Sequence, residues 1–201
     1  MRIFVLALAA LLLAACSQTR IASYVDPAYR GGAKIRSIAV AAGTPQLGER
    51  EALESAAVAE LAADGVRAVR MIDLVPPTRP GGPAAEAAAI RTAGVRAVLR
   101  ITVGQRGVVT RYNPPAYFGD PFFPYGDPWY GRSPFPGPAV GGNWVEEPVA
   151  RYEATLQEAQ GGAVIWKGEA VTRGGASADF GDLAARAAKD LVARLQQDGV
   201  I

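Results

Sequence analysis

The sequence predicts an α/β domain: a five-stranded mixed sheet with helices, in the order β-α-β-α-β, then a β-hairpin, then a last helix. Three observations predict it. Short apolar runs alternate with amphipathic helical stretches from residue 35 to residue 103, as in consecutive βαβ units. Residues 149–158 and 164–173 alternate apolar and polar side chains on either side of a Gly-Gly turn. Residues 180–197 carry apolar side chains at helical spacing.

The first strand is Ile35 to Ala42, apolar and charge-free after Arg36, as expected of a strand covered on both faces. Gly43-Thr44-Pro45 ends it. Glu49 to Asp64 follows as a helix with Leu53, Ala57 and Leu61 on one face, and Gly65 is suited to stop it. Val66 to Ile72 reads as the second strand. After the loop Pro76 to Gly82, Pro83 suits the first position of a helix that runs over Ala84 to Ala93 and stops at Gly94. The words Gly65-Val-Arg-Ala-Val69 and Gly94-Val-Arg-Ala-Val98 are identical, while their flanks differ. They read as one junction, helix stop then strand, used twice. Short connections of this kind imply parallel strands, with the first strand central in the sheet.

The third strand runs from Arg96 to about Arg111, with Leu99, Ile101 and Val103 alternating with Arg100 and Thr102, so one face is wet. Tyr152, Ala154 and Leu156 mark the inner face of the fourth strand, and Trp166 that of the fifth. This hairpin extends the third strand's edge. Asp179 is placed to cap the last helix, whose buried stripe is Phe180, Leu183, Ala187, Leu191 and Leu195. Gly199 ends it, and Val200-Ile201 are free to fold back on the core.

Between the third and fourth strands lies an irregular insertion, Tyr112 to Pro148, with nine of the fifteen prolines and ten of the sixteen aromatic residues. Dense Pro and Gly argue against regular structure there. A loop this long in a compact domain is usually functional or disordered, and disordered segments are poor in aromatics. Its charge is −3, from Arg132 against Asp120, Asp127, Glu146 and Glu147, which argues against anionic partners. Three readings are open: a lid over the sheet face, a docking loop, or a carbohydrate site built on ring stacking. Under the docking reading the anchors are Tyr117, Phe118, Phe122, Phe123, Tyr125, Trp129 and Tyr130.

Met1 to Cys16 reads as an export signal: Arg2, then the apolar run Ile3 to Leu13, then Leu13-Ala14-Ala15-Cys16. The run is too short to span about 30 Å of hydrocarbon at about 1.5 Å per residue. It resembles a bacterial lipoprotein signal, which implies that Cys16 is the lipidated first residue of the mature chain. Ser17 in place of Asp implies, by the same resemblance, outer-membrane sorting. Residues 1–15 are then the signal peptide, 16–34 a lipidated tether, and 35–201 a single domain. A flexible tether of that length reaches roughly 20–25 Å.

The chain has no histidine, one cysteine and a formal charge of +2. That removes Ser-His-Asp and Cys-His catalysis, imidazole metal ligands, cysteine-based zinc sites and internal disulfides, and gives no electrostatic case for nucleic acid. Gly81-Gly82-Pro83 opens a helix but lacks the Lys and Ser/Thr of a phosphate loop. Glu146-Glu147 point to opposite faces of an extended segment, and Asp179 with Asp182 fit a helix cap. Arg151, Glu153, Lys167 and Glu169 read as a solvated charge ladder across the hairpin. No cofactor, metal or catalytic residue is implied.

Several stretches carry a wider resemblance: Tyr24-Val-Asp-Pro-Ala-Tyr-Arg-Gly-Gly32, Asp64-Gly65-Val66, Ala97-Val-Leu-Arg-Ile101, Val164-Ile-Trp-Lys-Gly168 and Asp198-Gly-Val-Ile201. With these the chain resembles small bacterial envelope lipoproteins of unknown function, of the DUF type. Its element order is similar to the N-terminal domain of TolB and to CsgG. The resemblance implies a non-enzymatic protein anchored by lipid to the outer membrane and facing the periplasm. Its partners would be an envelope protein or further copies of itself. A glycan-binding module, for peptidoglycan or lipopolysaccharide, is the first alternative, and an unrecognised hydrolase the second.

Overall fold

The computed structural model describes residues 19–79, 81–114, 116–117, 139–140 and 142–201. Within these, one six-stranded mixed sheet organises the chain. Its strands are β1 (Thr19–Val25), β2 (Ser37–Gly43), β3 (Arg67–Arg70), β4 (Ala97–Asn113), β7 (Asn143–Glu158) and β8 (Val164–Arg173), in the spatial order β1-β8-β7-β4-β2-β3. A separate two-stranded ribbon pairs β5 (Ala116–Tyr117) with β6 (Ala139–Val140). The helices are α1 (Leu47–Ala63), the short α2 (Met71–Leu74), α3 (Gly82–Ala93) and α4 (Phe180–Gln197).

The predicted mixed α/β class and element order hold. β2 is central to the parallel part, paired with β3 on one side and β4 on the other. The hairpin β7–β8 extends the β4 edge in antiparallel register. α1 and α4 cover one face, where Ile38, Val40, Leu53, Leu61, Leu99, Tyr152, Trp166, Leu183 and Leu191 form the main core. On the other face, Met71 of α2 and Ile90 of α3 pack on Ala39, Ala41 and Val98. β2 is therefore covered on both sides, which is why its sequence is a continuous apolar run.

The repeated word is one junction used twice. Gly65 and Gly94 both adopt positive φ, 73° and 62°, after α1 and α3. The strands that follow flank β2 at the same level, Ala68 and Ala97 both opposite Ile38. Arg67 of the first copy also caps the second: its Nη2 donates to the carbonyl of Gly94 at 2.8 Å and to Ser37 Oγ at 3.0 Å. At the last helix, Asp179 accepts from the Asp182 N–H at 2.8 Å and Asp182 accepts from the Asp179 N–H at 3.1 Å, a reciprocal capping box. Val200 and Ile201 are buried, and the Val200 carbonyl accepts from the Ile35 N–H at 2.9 Å.

Three expectations are corrected. Thr19–Val25, expected within a flexible tether, is the sixth strand, paired with β8 from Thr19↔Thr172 to Val25↔Trp166. Its alternate residues Thr19, Ile21, Ser23 and Val25 turn inward, a period-two signal short enough to pass for linker. The second predicted strand stops at Arg70. The Arg70 guanidinium takes both Asp73 carboxylate oxygens at 2.8 Å, and Ile72 gives its N–H to Glu54, so residues 71–74 turn helical. The predicted irregular insertion is also shorter at both ends. β4 continues to Asn113 and β7 begins at Asn143, because the prolines crowd between positions 114 and 138 and leave the flanking segments free to pair.

Candidate functional site

β4 and β7 outrun the sheet that carries them. The last level shared by four strands is Thr19, Thr172, Ala150 and Arg106. Beyond it only β8 adds one more pair, Arg173 to Val149. Gly174 still gives its N–H to the Pro148 carbonyl at 2.9 Å, and past that level, among the described residues, β4 and β7 pair only with each other as far as Asn113↔Asn143. Tyr112↔Trp144 lies six residues past the shared level, about 20 Å at roughly 3.3 Å per residue.

The inner face of β7 continues along this arm, with Glu146 interrupting its apolar run before Trp144. Leu156, Ala154, Tyr152, Ala150 and Pro148 are buried under α1 and α4, and the same face then presents Glu146 and Trp144 beyond the helices. Trp144 is 69% exposed and Tyr112 47%, and their rings lie 5.1 Å apart at a tilt of 53°. Val108 and Val109 are exposed nearby. On the opposite face Arg111 meets Glu147 at 3.8 Å.

A polar cluster fixes the base of the arm. The β4–β7 register shifts between Val103 and Arg106, a bulge that re-aims the strand. Arg106 reaches back to Glu49 Oε2 at 3.2 Å, and its guanidinium lies 5.5 Å from the Phe180 ring centre. Thr44 Oγ1 lies 2.7 Å from the same Glu49 oxygen and 2.6 Å from Gln46 Oε1. Glu49 Oε1 and the Tyr152 hydroxyl are buried with no hydrogen-bond partner among the described residues. Burial, then the charge of Glu49, pushes the Tyr152 phenol above its usual range, with Arg106 opposing. Deeper, Glu54 accepts from the Ala42 N–H at 3.0 Å and the Ile72 N–H at 2.8 Å. Burial raises its carboxyl above the usual value, against those two hydrogen bonds and the nearby Arg50 and Arg70.

The two buried carboxylates have separate tasks, one on an arginine and a hydroxyl, the other on backbone N–H groups. A cavity of about 570 Å³ lies at the opposite end of the sheet, lined by Ile90, Arg91, Val95, Arg96 and Glu158 among others, with one carboxylate. Among the described residues, no three His, Cys, Asp or Glu side chains group as a metal site needs. No helix of the described residues is long and apolar enough to cross a membrane. Of the expected charge ladder one ion pair forms, Arg151 lying 3.5 Å from Glu169 with both side chains nearly half exposed, while Glu153 stands opposite Glu169 in the register.

Of the residues singled out from sequence, Tyr117 lies on the backbone of β5, past the end of the arm. Phe118, Phe122, Phe123, Tyr125, Trp129 and Tyr130 lie outside the described residues, as does Cys16. Glu49, Arg106 and Glu54 carried no recognisable sequence signal, since charged residues at these spacings ordinarily face water. Tyr112 and Trp144 were visible only as two of the insertion's ten aromatics.

No family model and no curated protein matches the sequence. The expected likeness to DUF-type lipoproteins, TolB and CsgG gains no support from these comparisons. Solved structures do match. Lipoprotein GNA1162 from Neisseria meningitidis is 15% identical, covering 80% of this chain and 98% of its own, with a TM-score of 0.43. The PelC dodecamer from Paraburkholderia phytofirmans is 19% identical, covering 89% of this chain and 98% of its own, with a TM-score of 0.50. The chain is thus similar in fold, across nearly its whole length, to the subunit of that dodecamer.

Proposed function

We propose that this chain is a bacterial envelope lipoprotein, anchored by acyl chains on Cys16 at the periplasmic face of the outer membrane, and that it works as a non-enzymatic assembly module. The β4/β7 arm and the insertion it carries are the docking element, with Tyr117, Phe118, Phe122, Phe123, Tyr125, Trp129 and Tyr130 as anchors. The observation that carries the reading is the arm itself. It is a ribbon tied to α1 at its base through Arg106 and Glu49, running about 20 Å past the last level shared by four strands, with the aromatic-rich insertion following in sequence from its end.

The fold likeness to a dodecamer supports further copies of the chain as one occupant. Photo-crosslinking in intact cells, with probes at Phe122 and Trp129, tests the reading. Discrete adducts with an envelope protein or with a second copy support it, and their absence from a folded, exported protein refutes it. Cys16→Ser should move the protein from the membrane to the soluble fraction.

A further inference from the structure

We propose that the outer half of the β4/β7 arm seats on the interfacial layer of the lipid bilayer, with Trp144 and Tyr112 as the inserted pair. This rests on the lipid anchor at Cys16 and names what the shaft of the docking arm meets.

Strand register carries the argument. β1 begins at Thr19, at the level of Arg106 and Ala150, which is where the arm leaves the sheet. The chain's anchored end and the arm therefore emerge from the same end of the molecule. Only three residue steps separate Cys16 from Thr19, a reach of at most about 11 Å at roughly 3.6 Å per step. β1 lies two strands from β7, roughly 10 Å at about 4.8 Å per strand. A lipid on Cys16 thus holds this end of the sheet close to the headgroups, and an arm of about 20 Å from that end has the length to enter them.

The chemistry of the arm fits that layer. Trp and Tyr favour the membrane–water interface, where the ring is buried and the indole N–H or phenol O–H stays wet. Trp144 and Tyr112 share one face, and that face is the core stripe continued past the helices, with nothing covering it among the described residues. Arg111 and Glu147 are paired with each other on the far face, so the described part of the arm carries one net negative charge, on Glu146. Ring burial, not attraction to anionic lipid, is the driving term, so neutral headgroups suffice.

The test uses the full-length lipidated protein in vesicles of phosphatidylethanolamine and phosphatidylcholine with brominated acyl chains. A Trp129→Phe background leaves Trp144 and the sealed core residue Trp166 as the emitters. Bromolipid should quench one emitting component and leave the other, with a blue shift relative to the protein in detergent-free buffer as Cys16→Ser. Adding Trp144→Phe should abolish both effects, with unchanged far-UV circular dichroism. If mass spectrometry shows acyl chains on Cys16 and Trp144 is still not quenched, the proposal fails while the anchor stands. If Cys16 carries no acyl chains, the anchor reading falls and takes the proposal with it. A photoprobe at position 144 that labels a protein instead of lipid also overturns it.

Discussion

Glu54 is a buried charged residue at which a single change should cost the fold measurable stability. Its side chain is fully buried, and its two oxygens take the N–H of Ala42 at the end of β2 and of Ile72 in α2. Glu54→Ala leaves both donors without a partner, at about 1–3 kcal/mol each, and the relief of burying the carboxyl offsets part of that. The expected net loss is about 2–4 kcal/mol, or a Tm lower by about 5–15 °C for a chain of this size. Glu54→Gln keeps one acceptor and should lose about half as much.

The pH dependence gives an independent sign. Burial raises the Glu54 carboxyl above its ordinary value of 4.5, so the folded state holds the proton more tightly than the unfolded chain. That stabilisation is complete below pH 4.5 and is lost as pH rises through the raised value. The gap between the natural protein and Glu54→Ala should therefore be widest in acid and narrow on titrating upward. Urea unfolding of the soluble Cys16→Ser form, followed by circular dichroism from pH 4 to 8, measures both quantities. A variant within about 0.5 kcal/mol of its parent, or a gap that widens with pH, refutes the reasoning.

Tyr152→Phe removes a buried hydroxyl that has no partner among the described residues, so it should leave stability unchanged or raise it by about 1 kcal/mol in urea. A clear loss would mean that the hydroxyl is satisfied. Gly168→Ala would drive a methyl into the Trp166 ring, whose Cζ2 lies 2.7 Å from the ideal position, and Trp166 is fully buried. A loss of about 1–3 kcal/mol is expected, with a change in the near-UV tryptophan spectrum. Asp179→Ala removes the cap of α4 and should cost about 1 kcal/mol by thermal melting.

The parts of the fold that were legible in the sequence are those where local chemistry and burial agree. α4 was readable to the residue because Asp179, the apolar stripe and Gly199 all say the same thing. The hairpin was readable because β7 and β8 each have one wet face. β1 was not, because an edge strand buries only alternate residues and Asp26-Pro27 and Gly31-Gly32 close behind it look like linker. The short words that carried the resemblance prove structural where they are described. Trp166 donates from Nε1 to Asp198 at 2.8 Å, so the words around Val164–Gly168 and Asp198–Ile201 are two halves of one contact. Gly168 completes it by leaving room for the indole. The arm was hidden for the opposite reason. Its residues read as the fringe of a Pro-rich insertion, and only pairing across some thirty intervening positions makes them a ribbon.

The arm and the anchor make most sense together. A Trp–Tyr pair offers too little surface to hold a protein on a membrane by itself, and a lipid alone leaves the domain free to turn about its attachment. Once the lipid is inserted, the second contact becomes intramolecular, with an effective concentration in the millimolar range for a short link. Weak ring insertion is then enough to fix orientation. That requires the arm to keep its direction relative to β1, and the base is built to do so. The bulge before Arg106 sets the angle, and the Arg106–Glu49–Thr44 cluster ties it to α1. The arm so held leaves the sheet at the end where β1 begins, the end at which the proposed lipid would sit.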